Sequence, residues 1–301
     1  MKTILITGAS GFVGSHLSRY LLENGYAVIG LGTSARHRLT AFSDNFTWVS
    51  TDTTQGGSWQ SHVPSADIII NLAGRSIFKP WTRTYKQAIY DSRVRTTRNL
   101  VDAMGEAWSG QLLSTSAVGF YGDRGDTLVS ETDPCGKDFL AEVCRDWEGA
   151  ASAAVEKGAR VSIMRFGVVL GDGGALSVMG TAFKSFVGGP LGTGQQWFPW
   201  IHISDLIEAV DFLISGNHDG KFNFSGPSPI RQKAFAKALG RALGRPAIMP
   251  APAFMVKTVM GELGASLLQS QKAQPDGLNG LGYRFRYPDA AAALADIYKN
   301  R

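Results

Sequence analysis

The sequence predicts an α/β fold: a doubly wound parallel sheet with a smaller, interleaved C-terminal substrate lobe. Two observations carry this prediction. Apolar runs recur at Ile4 to Thr7, Ala27 to Leu31, Thr47 to Ser50, Asp67 to Leu72, Gln111 to Ser116 and Val161 to Phe166, with helical patterns between them. Strands that alternate with helices build a parallel sheet. After about Gly167 the pattern changes: Gly171 to Trp200 is rich in glycine, proline and aromatics, and helical periodicity resumes at Ser204 to Ile214.

The first strand runs into Thr7-Gly8-Ala9-Ser10-Gly11-Phe12-Val13-Gly14, and a helical pattern through Leu17, Tyr20, Leu21 and Leu22 follows. Each glycine permits something a side chain would prevent. Gly8 can turn tightly out of the strand, Gly11 lets backbone approach a pyrophosphate, and Gly14 lets the helix pack close to the sheet. The helix N-terminus then presents N–H groups and a favourable dipole to an anion. With the second strand the unit is β-α-β, which makes a dinucleotide site the reading of this turn.

The end of the second strand selects the dinucleotide. It reads Gly32-Thr33-Ser34-Ala35-Arg36-His37-Arg38, with no carboxylate between Glu23 and Asp44. A site for NAD would place an acid there. Arg36, with Arg38 and the hydroxyls of Thr33 and Ser34, suits a 2′-phosphate, because guanidinium binds phosphate through a planar fork of donors. NADP(H) is the expected cofactor.

Helices are expected from Ala88 to Met104 and from about Asp138 to Lys157, the second ending at Gly158 as a C-terminal glycine should. The expected organisation is a cofactor domain over 1–166, with a return at about 201–215, and a substrate lobe over 167–301. The lobe includes helices at Phe235 to Leu243 and Met255 to Leu268 and a distinct terminal segment, 250–301.

The 301 residues, 44% hydrophobic and 18% charged, can bury a large core. The formal charge of +5 is spread without a basic run, which favours an anionic cofactor over nucleic acid. Two cysteines, Cys135 and Cys144, make neither a disulfide framework nor a zinc pattern, so a reducing, cytoplasmic setting is expected. Glycines interrupt the N-terminal apolar run, no signal peptide is read there, and no stretch approaches the ~20 apolar residues of a membrane helix. The expected partner is a small molecule, with no nucleic acid, membrane or metal, and a homodimer is compatible with the sequence.

Asn71-Leu72-Ala73-Gly74 ends the fourth strand, and Ser114-Thr115-Ser116 precedes Tyr121-Gly122-Asp123 at the end of the fifth. With the glycine turn, these make the whole chain resemble the extended short-chain dehydrogenase/reductases, which have a Rossmann fold. Arg165 to Gly171 and Trp200 to Leu206 match motifs of their epimerase/dehydratase branch. More narrowly, the chain resembles an epimerase-like family with its own C-terminal domain of unknown function. Ser116 to Gly122, Asp138 to Cys144, Gly188 to Trp197, Gly261-Glu262-Leu263 and Gly282 to Phe285 carry that likeness.

The resemblance implies that Gly8, Ser10, Gly11, Phe12 and Val13 line a pyrophosphate, with Gly14 behind them. Asp52 would approach the adenine, and Leu72, Ala73 and Gly74 would flank the adenosine ribose. From the residues alone Leu72 is equally core, and Asp52 equally a turn residue beside Thr53 and Thr54.

The superfamily's proton chemistry uses a Tyr and a Lys four residues on, the ammonium lowering the phenol pKa. Alignment through Trp147 and Glu148 puts Leu140 and Cys144 at those positions, and none of the eight tyrosines has lysine at i+4. Two readings stay open. Either the chain is an oxidoreductase or nucleoside-sugar-epimerase-like enzyme, with Ser116 donating to the substrate oxygen and Tyr121, Asp138 or Cys144 as replacement acid, or it is a non-catalytic NADP(H)-binding redox sensor. Gln196, Trp197 and Trp200 are expected as amide donors and flat walls of a substrate cleft, or as tryptophans packed on the lobe.

Overall fold

The computed structural model of the chain describes residues 1–106 and 108–299. Seven strands form one parallel sheet: β1 (Thr3–Thr7), β2 (Ala27–Gly32), β3 (Phe46–Ser50), β4 (Ile68–Asn71), β5 (Gln111–Ala117), β6 (Arg160–Phe166) and β7 (Gly220–Phe224). In space they run β7-β6-β5-β4-β1-β2-β3. Pairing of Ile4 with both Val28 and Ile68 puts β1 between β2 and β4, the point where strand order reverses. Ligands of open α/β sheets bind outside the carboxyl ends of the strands at such a point.

The apolar strands are buried on both faces because helices cover both. Ile4 and Ile6 pack with α1 (Phe12–Glu23), through Leu17 and Leu21, and with Leu206 and Val210 of α5 (Ile203–Ser215). Leu5 and Ile69 face the other side, with Leu100 of α2 (Arg83–Asp102) and Ala151 of α3 (Phe139–Ser152). α2 begins five residues before the expected Ala88, because the Thr82 hydroxyl accepts the Tyr85 N–H at 3.1 Å and caps it. Asp138 caps α3, which passes into a single-turn helix that ends at Gly158 (φ 93°).

The lobe contains α4 (Gly174–Lys184), α6 (Gln232–Leu243), α7 (Ala253–Leu267), α8 (Asp276–Gly280) and α9 (Ala290–Tyr298). Its core joins Leu176, Phe183, Phe235, Leu239 and Leu294 around Trp200. Gly261 (φ 59°, ψ −135°) breaks α7 midway. The chain crosses back into the layers of the main sheet more than once. α5 and β7 belong to the main sheet's layers, and Leu278 and Tyr283 join the core of β1. Asp205 of α5 clamps the C-terminal segment, accepting N–H groups of Arg286 at 2.6 Å and Tyr287 at 3.0 Å.

β7 is the strand the sequence reading lacked. Its Lys221 and Asn223 interrupt the apolar pattern, yet Asn223 is buried because its amide bridges Tyr121 and the Gln274 carbonyl. Among the described residues no helix is long and apolar enough to cross a membrane.

Candidate functional site

The glycine turn stands at the carboxyl end of β1. Gly8 has φ 68°, the left-handed region, and a Cβ there would lie 2.9 Å from the Leu72 carbonyl oxygen. A Cβ on Gly14 would lie 2.3 Å from the Gly8 carbonyl oxygen and 2.8 Å from Ala9 Cα, so helix and turn touch backbone to backbone. Gly11 precedes α1 at the capping position and offers no side-chain cap, and the first turn carries no acid. The N–H groups of that turn are therefore free of internal anions, and Ser10 and Gly11 are exposed beside them.

The far end of the same face lies past β2. Arg36 is exposed there, Trp48 Nε1 donates to the Ser34 carbonyl at 3.0 Å, and the His37 ring lies tilted against Trp48 with ring centroids 4.9 Å apart. Asp52 is exposed just past β3, where its carboxylate closes a turn by accepting from the N–H of Thr54 at 3.0 Å and its hydroxyl at 2.7 Å. Leu72 is partly buried against the core, Ala73 is buried, and Gly74 opens to solvent. Thr7 sets this strand end: its hydroxyl donates to Asn71 Oδ1 at 2.7 Å and accepts the Ala73 N–H at 3.1 Å.

At the end of β5 the expected proton donors are tied up. Ser116 is 1% exposed and its one hydroxyl proton goes to Glu148 Oε1 at 2.7 Å, so it is not offered to a substrate oxygen. Tyr121, also 1% exposed, donates to Asn223 Oδ1 at 2.7 Å and accepts from Arg165 Nη1 at 2.8 Å. Burial pushes its phenol up to about 12, despite the opposing pull of Arg165. Burial, with the Glu148 carboxylate nearby, pushes the Cys144 thiol up to about 11. Asp138 spends one oxygen on the N–H groups of Leu140 and Ala141 and the other on Gln269 Nε2. Ser116 and the candidate acids Tyr121 and Cys144 are thus buried, and Asp138 is held by the backbone that it caps.

Beneath them lies a charge network. Arg165 and Glu148 pair through two hydrogen bonds of 2.8 Å, and the guanidinium lies 3.7 Å above the Phe120 ring. Burial opposes the Arg165 charge, and Glu148 more than offsets it, so its pKa is raised. Arg93 of α2 lies nearby, its Cζ 5.4 Å from the Trp147 ring centroid. The sequence reading assigned no role to Glu148, Arg165 or Arg93. Their signal was a carboxylate on an apolar helix face and a cation ending an apolar strand.

The substrate expectations divide. Trp200 is 1% exposed in the lobe core, which corrects its assignment to a cleft wall. Its strand, Trp200–His202, pairs with Val168–Leu170 and turns the ring inward against Gly226. Gln196 Nε2 is spent on the Leu191 carbonyl at 3.1 Å. Trp197 is partly exposed, with Arg231 (3.9 Å) and Lys272 (4.7 Å) against its ring and Nε1 on Asp126. His202 caps α5 by accepting the Ser204 N–H at Nδ1.

A doubly wound sheet in the order 3-2-1-4-5-6-7, with a glycine turn at its switch point, defines a protein of the dinucleotide-fold class. Residues 4–224 match the model of the NAD dependent epimerase/dehydratase family, and residues 251–297 match a domain of unknown function, DUF1731. The chain belongs to the NAD-dependent epimerase/dehydratase family. It is 38% identical over 302 residues to the chloroplastic Epimerase family protein SDR39U1 homolog of Arabidopsis thaliana, covering 98% of this chain and 86% of that protein. It is 37% identical to the Epimerase family protein SERP0438 of Staphylococcus epidermidis, over 99% of this chain and all of the other. The crystal structure of human epimerase family protein SDR39U1 with NADPH superposes with a TM-score of 0.85 at 29% identity, covering 99% of this chain and 100% of that one.

Proposed function

We propose that the chain binds NADP(H) and is an oxidoreductase or epimerase-like protein acting on a small molecule, without the Tyr and Lys pair of its superfamily. The observation that carries the cofactor reading is the backbone cradle of Gly8, Gly11 and Gly14, which a Cβ at Gly8 or Gly14 would fill, at an α1 N-terminus free of acids. Ser10, Gly11, Phe12 and Val13 would hold the pyrophosphate. Leu72, Ala73 and Gly74 would flank the adenosine ribose. Arg36, with Ser34 beside it, would take the 2′-phosphate, and Asp52 stands on the adenine side. The NADPH in the human relative supports this choice of dinucleotide.

Bound NADP(H) would supply or accept a hydride. This chain's residues bind and orient it, and a positioned ligand pair gains rate from proximity even without a dedicated acid. A general acid typically adds ~10²- to 10⁴-fold, so slow turnover is expected. The engaged states of Ser116, Tyr121, Asp138 and Cys144 favour a second reading, a non-catalytic NADP(H)-binding redox sensor.

Titration with NADPH and NADH, followed by nicotinamide fluorescence, tests the cofactor reading. NADPH is expected to bind more tightly, and Arg36→Ala to weaken it ~10-fold or more, the loss of a charge-assisted contact, while NADH is unchanged. Failure to bind either nucleotide removes both readings. A substrate screen on the loaded protein separates the enzyme from the sensor.

A further inference from the structure

The charge of the lobe is one-sided. Residues 173–204 and 226–261 contain no Asp or Glu but seven lysines and arginines, more than the excess of +5 carried by the whole chain. Of the seven, only Arg231 has a carboxylate partner among the described residues, Asp126 at 2.6 Å. α6 turns Phe235, Ala236 and Leu239 inward and leaves Lys233, Lys237 and Arg241 exposed on its outer face, each four residues after the last. Arg245 follows just past the end of the helix and is exposed too.

The same lobe exposes large apolar side chains. Over 253–260, the part of α7 before its break at Gly261, every residue except Val256 is exposed. Phe254 is 71% exposed, Val259 80% and nearby Ile248 78%. The segment after α4 runs beside them: Leu191 bridges to Ala251, and the Gly192 N–H donates to the Ala251 carbonyl at 2.8 Å. Phe186, also exposed, stands at the end of α4 with φ 60°. Its N–H meets the Phe183 carbonyl at 3.0 Å and the Val187 N–H meets the Ala182 carbonyl at 3.0 Å, a helix ending that glycine ordinarily fills. A phenylalanine in the left-handed region is a backbone outlier, and such outliers collect at binding sites. The Arg245 guanidinium lies 4.8 Å from the Phe186 ring centroid and so joins the cations to the apolar side chains.

We propose that this face of the lobe rests on an anionic membrane surface, with Phe186, Ile248, Phe254 and Val259 entering the headgroup layer and the cations of α6 meeting lipid phosphates. Exposed aromatic and aliphatic side chains beside lysine and arginine are what an interfacial contact requires, and an anionic leaflet attracts basic residues near it. Charge also selects among occupants. Two copies of an acid-free face repel each other, and side chains that stand out from a helix suit a headgroup layer better than the concave pocket of a protein partner. The sequence reading expected no membrane partner because no stretch could span one; a peripheral contact requires no spanning helix.

Flotation of the chain with vesicles of phosphatidylcholine alone, and of equimolar phosphatidylcholine and phosphatidylglycerol, tests the proposal. The wild type is expected to bind the mixed vesicles ~10-fold or more tightly than the neutral ones, with added salt narrowing the difference. Reversing two cations together, Lys237→Glu with Arg241→Glu, should weaken binding to mixed vesicles ~10-fold or more. Phe254→Ser with Val259→Ser should weaken it by a similar factor, the loss of buried apolar area. All four residues are exposed, so both double variants should melt as the wild type does, and Val155→Ser, an exposed apolar position outside the lobe, should bind as the wild type does. Equal binding to both vesicle types, or equal losses in Val155→Ser and the lobe variants, would overturn the proposal. So would failure to bind the mixed vesicles: polyglutamate bound instead would give the face to an acidic protein, and a lipid-free dimer that Phe254→Ser with Val259→Ser dissolves would give it to a second copy.

Discussion

Arg165 and Glu148 close a two-point ion pair inside the protein: Nε meets Oε1 at 2.8 Å and Nη2 meets Oε2 at 2.8 Å, with the side chains 1% and 6% exposed. The pair ties β6 to α3, and through Ser116 and Tyr121 it also holds the end of β5 and the turn after it. A site at the carboxyl edge of a sheet needs those strand ends fixed, and here charge does the fixing.

Removing one member leaves the other buried and alone, which costs about 3–5 kcal/mol. Glu148→Gln is therefore expected to lower the urea midpoint strongly. Tyr121→Phe removes a buried donor and leaves Asn223 Oδ1 short of a partner, a smaller loss of about 1–3 kcal/mol. As Tyr121 is a strut, the Phe variant should bind NADPH as the wild type does. A Phe variant as stable as the wild type but catalytically dead would return Tyr121 to the role of proton donor.

Gly14 and Gly149 make a matched pair of helical glycines. A Cβ on Gly14 meets the Gly8 carbonyl oxygen at 2.3 Å, whereas one on Gly149 meets nothing within 4 Å. Gly14→Ala should destabilise by about 1–3 kcal/mol or more, as overpacking against backbone does, and should impair nucleotide binding. Gly149→Ala should stabilise by up to about 1 kcal/mol, since alanine is the better helix former. Thermal melting of both variants checks the contrast.

His202 is 3% exposed, and burial depresses its pKa from 6.5 to about 4. Its Nδ1 accepts the Ser204 N–H, so protonation there breaks the cap of α5. The folded state thus binds a proton less readily than the unfolded state. The stability associated with neutral His202 is full above about pH 6.5 and is lost as pH falls toward about 4. Unfolding free energies measured across that window should decline, and His202→Asn should flatten the decline. A slope unchanged in the variant would assign the acid sensitivity to other groups.

Cys144 is 4% exposed with its thiol raised to about 11, and burial also raises the half-buried Cys135. The thiolate is the reactive form, so a thiol reagent at pH 8 should label the native protein slowly and the urea-unfolded protein at both cysteines. Rapid labelling of Cys144 in the native state would show that the helix face opens.

The six strands from Ile4 to Phe166, the glycine turn and the helix at α3 were legible because each rests on local facts: an apolar run, a residue without a Cβ, a capping Asp138 and a closing Gly158. So was the lack of an acid after β2. The absence of the Tyr and Lys pair was legible too, since it is a statement about residue types at a spacing. β7 was not, because Asn223 is polar until Tyr121, distant in sequence, makes it a core residue.

What tertiary structure alone decided is which polar groups are already spent. Ser116, Tyr121 and Asp138 are plausible acids or donors in a linear string, and each loses that freedom to a partner: Glu148, Asn223 with Arg165, and the α3 N-terminus with Gln269. Trp200 became core by the inward turn of its strand, and Glu148 became the buried partner of Arg165. Local pattern determines backbone form. Satisfaction of buried hydrogen bonds and charges is a property of pairs far apart in sequence, so only the folded chain settles it.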